Sequence, residues 1–489
     1  MKRFISVLLI LVLSLALFSC GNNEETASTS APVADSGTQS ERILNLAYSK
    51  GDTLNPFTCT TTSNLQILGL VYDSLYTLDE SYKPTPSVAF SGEVSGKSVS
   101  VTLNSVSFSD GSLITAQDVT ASFSSAKESA AYSAKLANFE SASASGTNAV
   151  VFTLTNSDPY ALACLTFPIV KGGNTTDDFP AGSGRYIPHV SGESVYLVVN
   201  AQKTGFAPAI KTIMLSPVRN SDAVISSLEI GNIGFYYNDL SSGIYTRLNA
   251  HNIEMGLNNF IYMAFNSESE TVSNAEVRQA INLALDRSTI VSNAFQGHAR
   301  ATYSPFNPDW YYLVSKDLTV TQNKETAREL IESSGIDFSS KELTLLVGSE
   351  NQFKTETANL IKEYLDEIGI AVNIVKVSSD EFVAVLEEGN YDMYIGEIRF
   401  TPNMDLNQIL GGGALSYGID STTRTCSRYA QLLSGECEIM DFINAFNQDL
   451  PFIPICYRNA CVSLTNSLQG EFSSCDADVF SGIETWSFK

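Results

Sequence analysis

From Leu343 to Ile395 the chain alternates short apolar runs with stretches of helical period. Leu343-Thr344-Leu345-Leu346-Val347 reads as a buried strand, and Glu356 to Ile368 as a helix stopped by Gly369. Val372 to Val377 is a strand, Asp380 to Glu387 a helix and Tyr391 to Ile395 a strand again. Strands that take turns with helices lie parallel to their neighbours, so this stretch specifies an α/β lobe. Strands dominate the first half of the chain instead. Residues 43–489 are too many for one compact core, so two or more domains are expected.

The N-terminus reads differently. Lys2-Arg3 precede an apolar run from Ile5 to Phe18 that is too short to span a bilayer, the pattern of a secretory signal peptide over 1–20. The run ends Leu17-Phe18-Ser19-Cys20-Gly21. A small residue before a Cys at that place resembles a bacterial lipoprotein cleavage site, which implies that Cys20 carries lipid. Ser, Thr, Asn, Ala and Glu then dominate, with almost no large apolar side chains, so 21–42 is expected to be a flexible tether. No later run is long and apolar enough to cross a membrane.

The charge balance is strongly acidic, with 53 Asp and Glu against 29 Lys and Arg. That argues against nucleic acid and against an anionic membrane surface as partners. Eight cysteines include Cys20 and leave seven, Cys59, Cys164, Cys426, Cys437, Cys456, Cys461 and Cys475. An odd remainder in an exported chain requires at least one free thiol or an intermolecular bond. Cys426 with Cys437, or Cys456 with Cys461, could bridge. With no CxxC and only three histidines (His189, His251, His298), a zinc site of the usual ligand types is not expected.

Phe108 to Val119, FSDGSLITAQDV, is the most ordered local signal. The alternating run Val99 to Leu103 precedes it as a half-buried strand, and Asp110-Gly111 supplies a tight turn. Thr115 sits at an N-cap position, with Asp118 three residues on to complete a capping box. This stretch resembles the FxDGxxxTAxDV segment of the family 5 extracellular solute-binding proteins, the oligopeptide-, dipeptide- and nickel-binding receptors of ABC importers. A second specific match is EVRQAINLALDRSTIV, Glu276 to Val291, which resembles the family's "VRQA…AiDr..iv" and reads as one amphipathic helix. Weaker matches stand in the family's order between about 43 and 470. They include Leu54-Asn55-Pro56, a helix over Leu65 to Tyr76, Gly182 to Tyr186 with the strand Val195 to Asn200, Tyr262 to Asn266, and Leu450 to Ile455.

The resemblance implies a two-lobe α/β periplasmic-binding-protein-like fold (type II, cluster C-like). Lobe I is expected from 43–255 with 456–489 returning to it, and lobe II from 256–455. Two crossings, near Asn258–Phe265 and Leu450–Cys456, would form the hinge of a ligand cleft. The implied function is a lipid-anchored, extracytoplasmic receptor on the cell membrane that delivers a solute to ABC permease subunits. A monomer is expected.

Peptide is the first expectation for the solute, with a sugar or another small organic solute second. In the family's peptide binders a Trp-rich segment with an amine-binding Asp follows the strand that resembles Tyr391–Ile395. Here Thr401 falls near that place, so Asp405 or Glu397 would substitute, or the ligand has no amine there. Arg399, just past the strand, is the expected partner of a ligand carboxylate, and Thr60, Thr61 and Thr62 are expected to meet ligand backbone from lobe I. The bland reading of Arg399 is a surface pair with Glu397 or Asp405. The rival class is an enzyme, but no GxSxG, HExxH or P-loop appears, and neither a catalytic residue nor a cofactor is expected. A sensor or adhesion module is the third class.

Overall fold

The computed structural model describes residues 43–410 and 412–489. The expected signal peptide, Cys20 and the expected tether lie outside the described residues. Strand Ser98–Leu103 alternates between buried and open positions, and Gly111 takes a φ of 84° in the turn that follows. Helix Ala116–Glu128 then starts on a full capping box. The Thr115 amide donates to Asp118 Oδ2 at 2.9 Å and the Asp118 amide to Thr115 Oγ1 at 3.3 Å. Asp118 Oδ1 also accepts the Gly172 amide at 2.9 Å, so one carboxylate ties the helix to a distant loop. Asp118→Ala should cost about 1–2 kcal/mol, read as a lower urea midpoint at unchanged slope. A loss below about 0.3 kcal/mol would mean that water replaces the cap.

One sheet of eleven strands runs through both lobes. In lobe II, Glu342–Gly348 is flanked in parallel by Ala371–Val377 and Met393–Arg399, the order that strand and helix alternation requires. In lobe I, Leu44–Tyr48 lies parallel to Thr212–Pro217 and Phe235–Asn238. A separate four-stranded antiparallel sheet packs Phe139 and Phe152 edge-on against Phe123 of the capped helix.

Two long antiparallel strands, His251–Phe265 and Phe452–Leu464, carry the chain between the lobes. Met255 and Leu257 of the first pack in the lobe I core with Ala460, Val462 and Leu464 of the second. From Phe260 onward, and up to Tyr457 on the return, the side chains belong to the two cores on either face of the lobe II sheet. Their pairing slips between Gly256 and Asn259 and again between Ile261 and Tyr262. Such slips bend a strand pair, and here they fall where the core changes.

Three local expectations are corrected. Glu276–Val291 is two helices, Ala275–Ala284 and Arg287–Asn293. Leu285 is extended between them, and Asp286 starts the second by accepting the Thr289 amide at 3.1 Å. The helix expected over Leu65 to Tyr76 runs from Thr62 to Val71, because Tyr72 turns extended and Tyr76 joins a hairpin. Neither expected cysteine bridge forms, and all seven described cysteines are free. Cys426 sits in the first turn of helix Arg424–Ser434, while the Cys437 thiol, past the Gly435 cap, donates to the Arg428 carbonyl at 3.5 Å. Cys456 and Cys461 share one strand, where an odd separation puts them on opposite faces.

Candidate functional site

The direction of the strands locates the cleft. Phe235 pairs with Leu464 and Asn238 with Cys461, so the carboxyl ends of the lobe I strands point toward the crossing. In lobe II, Arg399 at the end of its strand pairs with Asn259, beside the slip. Both lobes therefore turn strand ends toward one another, the place where open α/β sheets bind ligand.

On the lobe I side a cavity of about 350 Å³ is lined by Thr61, Thr62, Gln66, Arg219, Tyr236 and Tyr237, among others. The threonine loop above it is held by Asp52. Asp52 Oδ2 accepts from the Thr60 amide at 3.0 Å and from the Thr61 amide and hydroxyl at 2.7 Å each. Burial raises that carboxyl, but donation from Thr61, Thr60 and Thr53 outweighs it and leaves the pKa well below the usual carboxylate range. Two loop amides and the Thr61 hydroxyl are thus already occupied. Thr62 is exposed and lines the cavity, while Thr60 is exposed outside it.

On the lobe II side Arg399 is half-exposed and pairs with neither Glu397 nor Asp405. Its guanidinium meets Asp476, in the segment that returns to lobe I, and Asp476 is the main cause of its raised pKa. Glu397 is held instead by Arg458 at 3.0 Å, Lys354 at 2.8 Å and Asn259 at 3.0 Å. Burial pushes the Glu397 carboxyl up, and the two cations bring it down to about 2. Asp405 accepts the buried Tyr429 hydroxyl at 3.0 Å. The Thr401 hydroxyl donates to Asn403 Oδ1 at 2.6 Å, and Asn403 Nδ2 donates to Asp158 Oδ2 of lobe I at 2.7 Å.

Asp158 and Asp476 were absent from the residues singled out by sequence. Asp158 is 3% exposed, and burial pushes its carboxyl up to about 6 despite the bonds from Asn403 and the Tyr160 amide. Two further hydrogen bonds join 43–255 to 256–455, from the Tyr311 amide to Ser81 O at 3.0 Å and from Asn351 Nδ2 to Ser241 O at 2.9 Å. Nothing in local spacing marks these residues. Asp158-Pro159 reads as an ordinary turn at a strand end.

Two strand-linked α/β lobes facing each other across a polar cleft define a solute-binding protein. The chain belongs to the bacterial extracellular solute-binding proteins, family 5, whose model (its "Middle" region) matches residues 83–411. Over 257 residues it is 26% identical to the oligopeptide-binding protein AppA of Bacillus subtilis, covering 48% of this chain and 44% of AppA. The chain spans about half the length of the curated relatives it matches. Among solved structures it is similar to the ABC transporter substrate-binding protein CtaP of Listeria monocytogenes, at 19% identity and a TM-score of 0.72 over 92% of this chain and 99% of that one. The unliganded open form of the periplasmic murein tripeptide-binding protein MppA gives a TM-score of 0.76 at 15% identity, over 91% of this chain and 97% of MppA.

Proposed function

We propose that this chain is the lipid-anchored substrate-binding protein of an ABC importer and that its solute is a short peptide. The observation that carries the reading is that polar side chains of both lobes meet across one cleft, Asn403 with Asp158 and Arg399 with Asp476. A solute that bonds to both walls favours the closed form by its differential affinity, and the closed form is what permease subunits would recognise. Relatives named as oligopeptide- and tripeptide-binding proteins support peptide over other solutes. Thr62 with Thr60 and Thr61 on one wall, and Arg399, Thr401 and Asp405 on the other, are the assigned ligand contacts. Hydroxyls suit a sequence-tolerant receptor, because they bond main-chain groups without demanding a charge.

Cys20 is the assigned anchor, and residues 21–42 would hold the receptor near its permease and raise its effective concentration there. Native mass spectrometry of the protein extracted from its own membranes tests both halves of the reading. The expected spectrum carries an acyl mass on a chain that starts at Cys20 and co-purified masses that fragment as peptides. A chain without acyl mass removes the anchor. A bound sugar or non-peptide acid removes the peptide and leaves the receptor.

A further inference from the structure

Residues 43–255 and 256–455 meet through aromatic rings as well as through polar groups. Tyr160, two residues after Asp158, stands edge-on against Trp310 at 4.8 Å and against Tyr312 at 5.0 Å between ring centres. Trp310 and Tyr312 lie 5.0 Å from each other, and Tyr311 lies 4.2 Å from Tyr312. A second grip on the same segment comes from the hairpin of Tyr76–Leu78 with Pro84–Pro86. In its turn Asp79 Oδ1 accepts the Ser81 amide at 2.8 Å and the Lys83 amide at 3.0 Å, and Tyr82 takes a φ of 60°. Ser81 O of this turn accepts the Tyr311 amide. Leu78, Tyr82 and Ala163 share one buried cluster with Phe306, Trp310 and Leu313.

Edge-on ring pairs are favourable beyond the area they bury, and they need no solute to form. Trp310 is 1% exposed, whereas Tyr312 is 41% exposed and Tyr160 and Tyr311 are half-buried. The Tyr160 contacts therefore lie at the rim of the cluster, where rings can part into water. A left-handed backbone is unfavourable for tyrosine, and it persists at Tyr82 because the surrounding contacts fix it. We infer that Tyr160, Trp310 and Tyr312 form an aromatic latch that holds 43–255 against 256–455 without solute, with the Leu78–Tyr82 turn as its second grip. The latch places part of the free energy of closure in the protein itself. A solute then supplies only the remainder, and its apparent affinity rises with the closed fraction of the empty protein. This goes beyond the peptide reading and holds whatever the solute is.

The test uses the full mature chain, stripped of co-purified solute and shown to be empty by native mass spectrometry. It is held at about pH 5, below the Asp158 value of about 6, so that this carboxylate does not oppose closure. Small-angle scattering reads the radius, and hydrogen exchange reads the Tyr311 amide, whose acceptor Ser81 O lies on the other side of the latch. Wild type is expected to have the radius of the structure described above. Tyr160→Ala should enlarge the radius and speed exchange at Tyr311 by about tenfold, as loss of two edge-on ring pairs requires. Tyr312→Ala removes one of those two pairs and should move both readings the same way by less. Tyr160→Phe keeps the ring and should keep both readings. Thermal melts of each variant establish that it is folded. An extended wild type, or a Tyr160→Ala variant as compact as wild type, overturns the inference. Faster exchange at Tyr311 with an unchanged radius confines the effect to one contact and overturns it as well. Each of these outcomes leaves the peptide reading standing, because none of them depends on the solute.

Discussion

Lowering the pH from 7 toward 4 is expected to close the cleft, and Asp158→Asn to remove that response. Asp158 is buried against lobe II, and its carboxyl is pushed up to about 6 from the ordinary 3.8 by burial, with Asp405 adding to the shift. Were the lobes to separate at this point, Asn403 and Asp405 would leave and the carboxylate would return to water, where its ordinary pKa applies. The closed-state pKa is therefore the higher one. Closure takes up a proton in the window between about 4 and 6, and acid favours it there by linkage. Above that window the closed state carries the cost of a buried charge, about 3 kcal/mol at most by the usual 1.36 kcal/mol per pKa unit. Small-angle scattering of ligand-free protein across this range should show the radius falling as pH drops through 6. Asp158→Asn keeps an acceptor for Asn403 without the charge, so the variant should be compact at every pH. A wild-type radius that ignores pH, or a variant that still follows it, would sink the assignment.

Arg287→Ala is expected to destabilise lobe II by about 3–4 kcal/mol, combining lost charged hydrogen bonds with a side-chain cavity. Arg287 is 2% exposed, and no carboxylate of the described residues accepts from it. Its Nε donates to Pro454 O of the return strand at 2.7 Å, and its other nitrogens donate to Asn282. The guanidinium also lies 4.9 Å from the centre of the Tyr303 ring. Burial draws its pKa down to about 10, with no formal negative charge to compensate. Truncation orphans two buried backbone carbonyls where the second helix meets the crossing strand. Arg287→Met should lose less, because it fills the volume and removes a desolvated charge. Urea unfolding of both variants reads the difference. A change under about 1 kcal/mol for Arg287→Ala would mean that water takes over its partners.

Local chemistry was readable along the chain. Thr115 and Asp118 stand three residues apart, so their capping box forms within one helical turn whatever surrounds it. The parallel order of the lobe II strands follows from alternation, because a helix between two strands forces a crossover. Periodicity misled where it ran smoothly through a break. Val277, Ile281, Leu285 and Ile290 keep a helical rhythm and all are buried, yet the backbone is interrupted at Leu285. Burial of side chains sets that rhythm, and two short helices bury them as well as one long helix would.

Period and capping act over a few residues at a time, so the strand and helix order and the capped helix were legible along the chain, while the two lobes and the family followed from the resemblance that the order of the motifs carries. The partners of the charged and polar side chains emerge only from the folded arrangement. Arg399 stood at the expected strand end, but its carboxylate is 77 positions away, and Asp158 meets Asn403 across 245 positions. The threonine loop looked open, yet its amides belong to Asp52, eight and nine residues earlier. Ion pairs and buried hydrogen bonds depend on distance in space and on exclusion of water, and neither has a period along a chain.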